Sequence, residues 1–95
     1  MRNYELTLVI DPDLSSVDQK KLVEKVKKIV EEIKGKVSKV TEWGKKELAY
    51  PIKKRTMGYY FLCLLNLPED GVEKLDKKLK VEEGIMRFLQ VKKEN

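Results

Sequence analysis

A chain of 95 residues, 41% hydrophobic and 39% charged, has the length of one domain, is too apolar for disorder and is unusually charged for a globule. Its formal net charge of +5, from 21 Lys and Arg against 16 acids, favours a polyanionic partner, because counterions released from a phosphate backbone drive association. The absence of His removes the commonest general base, the lone Cys63 excludes an internal disulfide, and no apolar run approaches the ~18 residues of a membrane span.

The opening Met1-Arg2-Asn3-Tyr4-Glu5 runs straight into a strand pattern, so no signal peptide and a cytoplasmic location are expected. Residues 3–10 alternate, with Tyr4, Leu6, Leu8 and Ile10 on one side and Asn3, Glu5, Thr7 and Val9 on the other. That period of two predicts a strand with one buried face. Asp11-Pro12-Asp13 stops it. Ser15 or Ser16 then caps a helix, with Asp18 or Gln19 completing a capping box. Through residues 17–34, Leu22, Val23, Val26, Ile29, Val30 and Ile33 fall at helical spacing. Glu24/Lys28 and Lys27/Glu31 are expected to pair on its outer face, and Gly35 to cap its end.

Residues 36–43 are strand-like, but Val37 and Val40 stand three apart, which predicts a bulge or a local bend. Gly44-Lys45-Lys46-Glu47 reads as a turn or a twisted continuation. Leu48 to Ile52 is extended, because the residue before Pro51 avoids helical geometry. Lys53-Lys54-Arg55 is expected to form a basic loop closing at Gly58. Residues 59–67 are apolar on both faces, as a central strand is. The pattern leaves open whether Tyr59/Phe61 or Tyr60/Leu62 face the core. Pro68-Glu69-Asp70 opens a second helix along Val72, Leu75 and Leu79, and Gly84 precedes a last strand over 85–92. The order βαββαβ predicts an α+β fold in a single domain, 1–95. Right-handed crossovers then give a four-stranded antiparallel sheet with both helices on one face, the ferredoxin-like arrangement, with the first and third strands central.

Nothing here assembles acid, base and nucleophile, cradles a phosphate on glycines or spaces metal ligands. No enzyme activity, cofactor or metal is expected. Cys63, between Leu62 and Leu64, reads as a small buried hydrophobe. Gly58, Tyr59, Phe61 and Leu62 fit the third-strand motif of RNA-recognition modules, whereas Met57, Tyr60 and Leu64 do not. Glu5 and Thr7 stand where the companion aromatic of the first strand belongs. Phosphate contact therefore ranks above base stacking. Cations cluster at Lys45/Lys46 and Lys53 to Arg55, and others stand at the chain ends, the second helix end and the last strand. Arg is scarce, so Arg2 and Arg87, on expected strands, stand out, because a planar fork suits phosphate better than an ammonium.

The segment Trp43-Gly44-Lys45-Lys46-Glu47-Leu48-Ala49-Tyr50-Pro51-Ile52-Lys53-Lys54 resembles the signature of the bacterial small-subunit ribosomal protein number six family, W/L-G-[basic]-[basic]-x-L-A-Y-P-I. Arg2-Asn3-Tyr4-Glu5 through Pro12 is similar to that family's R-x-Y-E start, and Ile85 to Lys92 to its last strand. The resemblance spans essentially the whole chain, with Gln90 standing where the family usually has an apolar residue. It implies a structural role in the small ribosomal subunit, in the cytoplasm, binding the central domain of 16S ribosomal RNA together with small-subunit ribosomal protein number eighteen. It makes Arg2, Lys54, Lys80, Arg87 and Lys92 the expected RNA contacts and Trp43, Tyr60 and Leu62 the expected interface with the protein partner. The isolated chain is expected to be monomeric and to bind no membrane. The alternative left by the residues is a ferredoxin-like regulatory or dimerisation module that binds a small ligand; it would lack salt-dependent RNA affinity.

Overall fold

A computed structural model describes residues 2–52 and 54–93, so Lys53 of the expected basic loop lies outside the described residues. In chain order the elements are β1 (Arg2–Ile10), α1 (Ser16–Glu32), β2 (Lys36–Ile52), β3 (Arg55–Leu67), α2 (Gly71–Lys80) and β4 (Ile85–Lys92). The sheet order is β2-β3-β1-β4, with β1 antiparallel to both β3 and β4. This is the ferredoxin-like fold that the element order predicted, with β1 and β3 central.

The main core forms where the sheet meets the helices. Tyr4, Leu6, Leu8 and Ile10 of β1 and Phe61, Cys63, Leu65 and Leu67 of β3 pack on Val23, Val26, Ile29 and Val30 of α1 and on Leu75 and Leu79 of α2. Fully burying such a side chain stabilises by about 1.5–3 kcal/mol. The doubtful phase of β3 is thereby fixed. Tyr59 and Phe61 lie on the helix side, their ring centroids 5.3 Å apart, and Tyr60 and Leu62 lie on the open face.

Both ends of α1 have identifiable causes. Ser15, not Ser16, is the N-cap: its backbone is extended and its Oγ accepts the amide of Asp18 at 3.1 Å. At the other end the left-handed residue is Lys34, at φ 69, rather than Gly35. The amides of Lys34 and Gly35 reach back to the carbonyls of Glu31 and Val30, at 3.0 and 2.8 Å, closing a Schellman motif with lysine in the glycine position. Gly35 is small for another reason, since a Cβ there would stand 2.7 Å from Leu67 Cδ2 and 2.8 Å from the Asn66 carbonyl. On the outer face Lys27 pairs with Glu24 at 3.2 Å, in place of the two expected pairs.

The second strand departs furthest from a regular ladder. Its register against β3 shifts between Val37 and Lys39, where a bulge or bend was predicted, again between Glu42 and Gly44, and again between Glu47 and Ile52. At the third shift residues 48–51 stand against Thr56 alone, because Glu47 faces Met57 and Ile52 faces Arg55. The excess chain bows over the open face. Leu48 is buried there against Val9 and Met86, with Ile52 and Tyr60 alongside. Val9, polar-side by alternation, is covered by this arch. The expected loop closing at Gly58 is replaced by a tight turn at Lys54, φ 66, with β3 starting at Arg55. Gly58 is buried inside β3, where a Cβ would meet Val9 Cγ1 at 2.4 Å and Leu48 Cδ2 at 3.3 Å.

Candidate nucleic-acid interface

The five cations expected to meet RNA are all exposed, but they occupy two ends of the sheet rather than one patch. Arg2 opens β1 opposite Leu67, and Lys92 closes β4 opposite Tyr4. Arg87 stands opposite Val9, seven residues along β1, which at about 3.4 Å per residue is roughly 24 Å away. Lys54 turns the hairpin at Arg87's end. Lys80 ends α2 at the same end, but it lines the groove between α2 and β4 with Phe88 and Gln90, behind the sheet from Arg87.

Charge alone does not make these cations equivalent. Lys80 Nζ is 2.9 Å from Asp76, so its charge is partly spent within α2. Arg55 is more fully engaged: Nη1 pairs with Asp13 and Nη2 lies 3.4 Å from Asp11. That pair ties the start of β3 to the loop leaving β1. Among the described residues no carboxylate pairs with Arg2, Lys54, Arg87 or Lys92.

Arg87 has a neutral partner that sequence reasoning missed. Its Nη1 donates to the hydroxyl of Tyr50, and its Cζ stands 5.9 Å from the centre of the Tyr50 ring. Tyr50 is 56% exposed at the crest of the arch. The two residues are 37 apart in sequence, so no local spacing could have joined them. Lys45 and Lys46, opposite Tyr59 and Gly58, add charge at the same end.

The three expected partner-interface residues fall together. Gly44 faces Tyr60 and Thr41 faces Leu62, with Trp43 at the register shift between those two pairs. Trp43 is 47% exposed, and Lys46 Nζ stands 5.4 Å from its ring centre. Tyr60 and Leu62 continue across the open face to Thr7, Val9 and the exposed Leu89 and Val91. An open sheet face bearing large apolar side chains with cations at either end can bind; among the described residues it holds no reactive set. Among the described residues there is no group of three metal-ligating side chains. Burial pushes the Cys63 thiol up to about 11, so it holds its proton.

Fold and surface together define a basic binding module with a ferredoxin-like frame. The family model for ribosomal protein S6 matches residues 3–92, and the chain belongs to that family. It is 37% identical over 92 residues to the small ribosomal subunit protein bS6 of Caldanaerobacter subterraneus subsp. tengcongensis, covering 97% of each chain. The bS6 protein of Thermoanaerobacter pseudethanolicus is 36% identical, again over 97% of each. Among solved structures, 30S ribosomal protein S6 from Thermotoga maritima superposes with a TM-score of 0.90 at 33% identity, covering 97% of this chain and 87% of that one. Family membership makes this a protein of the small subunit of the cytoplasmic ribosome, and not an enzyme.

Proposed function

We propose that this chain, as a single domain and a monomer when isolated, binds the central domain of 16S ribosomal RNA together with small-subunit ribosomal protein number eighteen. Arg2 and Lys92 grip phosphates at one end of the sheet, and Arg87 and Lys54 at the other, with Lys80 a weaker contact. Trp43, Tyr60 and Leu62 meet the protein partner. The observation that carries this reading is that Arg2, Lys54, Arg87 and Lys92, exposed at the two ends of an open sheet face, have no carboxylate partner among the described residues.

Salt titration tests the RNA half. With the partner present, Arg2→Ala and Arg87→Ala each lower the slope of log affinity against log salt by roughly 0.7–0.9. At roughly 24 Å apart their effects add. If both variants keep wild-type affinity and slope while Tyr60→Ala abolishes binding, base stacking carries the contact instead. Trp43 emission tests the protein half. It shifts to the blue when the partner is added, because a half-exposed ring loses water. Emission unchanged by a saturating partner would remove Trp43 from the interface.

A further inference from the structure

We infer that Tyr50 is a positioning residue of the RNA-contact site, holding the Arg87 guanidinium ready for a backbone phosphate and offering its own hydroxyl hydrogen to that group; this rests on the assignment of Arg87 to RNA. The geometry is specific. Arg87 Nη1 donates to the Tyr50 oxygen while the guanidinium lies within cation–π range of the ring. Tyr50 is itself held from below, because Leu48 and Ile52 on either side of it pack into the small core beneath the arch.

The donor count identifies the ligand class. A guanidinium has five N–H donors and no acceptor, and the contact with Tyr50 uses one of them. The Tyr50 oxygen accepts that hydrogen and still carries its own O–H to give. The pair thus presents donors, and among the described residues no carboxylate pairs with Arg87 to offset its charge. Its complement is an anion made entirely of acceptors; a carboxylate and a phosphate diester both qualify, and the assignment of Arg87 to RNA selects the phosphate. Arg55 shows the contrast within the same molecule: its fork is closed by Asp11 and Asp13 and its charge is paired within the chain. Restraining Arg87 beforehand also removes part of the side-chain freedom that binding would otherwise cost.

The test is a double-mutant cycle on a 16S central-domain transcript, with protein number eighteen present and salt varied. Tyr50→Phe keeps the ring over the guanidinium and removes only the hydroxyl. It should weaken binding roughly three- to tenfold with no change of salt slope, since no charge is lost. Arg87→Ala should weaken binding and lower the slope by roughly 0.7–0.9. In the Arg87→Ala background, Tyr50→Phe should change affinity less than about twofold. Arg87→Lys should restore the slope but not the coupling to Tyr50, because an ammonium has no fork. Equal losses from Tyr50→Phe in both backgrounds, or a fall in melting temperature with affinity intact, would overturn the role of Tyr50 and leave Arg87 on the RNA. A Tyr50→Phe effect on affinity for protein number eighteen but not for RNA would overturn it likewise. An inert Arg87→Ala would overturn both assignments.

Discussion

Gly58 illustrates how one residue's size is fixed by a distant segment. The Cβ of an alanine there would overlap Val9 Cγ1, on a neighbouring strand, and crowd Leu48 of the arch. Gly58→Ala should therefore cost about 1–3 kcal/mol in urea unfolding, the range for overpacking a tight site. A cost below about 0.3 kcal/mol would mean that the Val9 side chain and the arch both give way. Cys63 makes a pH-dependent prediction. Burial raises its thiol, with Lys27 pulling the other way, to about 11 from an ordinary value of 9.0. The unfolded thiol therefore ionises first as pH rises. Its contribution is fully present below about 9 and is lost as pH climbs through about 11, on the order of 2 kcal/mol. Stability measured from pH 8 to 11 should fall less steeply in Cys63→Ala than in the parent chain; parallel curves would show that the thiol does not couple to folding.

At the scale of elements, α1 and β1 were readable because each has one polar side, so period alone assigns the buried face. The phase of β3 was not, since Tyr60, Leu62 and Leu64 are as apolar as the residues facing the helices. Their apolarity belongs to the arch and to the open face. The arch itself left only a weak trace: Leu48 and Ile52 announced apolar contacts, but their partners Val9 and Met86 lie on other strands. Likewise the partners that distinguish Arg55, closed by two aspartates, from Arg87, which meets a tyrosine, lie too far off in sequence to be read from it. The arch packs on fewer buried residues than the main core, so it should open first. Amide exchange at Leu48, Ala49, Tyr50 and Ile52 should need less free energy than exchange in β1 or β3. Leu48→Ala should lower that local opening energy by about 2 kcal/mol or more. Uniform protection across these four amides and β3 would make the arch part of the global unit.

Across the whole molecule, the candidate contacts sit at opposite ends of the sheet, so an RNA bound as proposed would span it and depend on the spacing of the two ends. That spacing is set by β1, which lies between β3 and β4. The first strand of the chain thus borders the last, with Tyr4 opposite Lys92 and the Lys93 amide 2.8 Å from the Asn3 carbonyl. Synthesis makes this arrangement demanding. While β4 is still to be translated, β1 has no neighbour on one side, and α2 has no sheet edge beneath it. Folding of this protein must then wait until the last strand has left the translating ribosome, although β1 was made first. Stalled nascent chains should show this directly: protease resistance should appear only when a linker carries β4 clear of the exit tunnel, whereas resistance with β4 still inside would mean that three strands and two helices suffice.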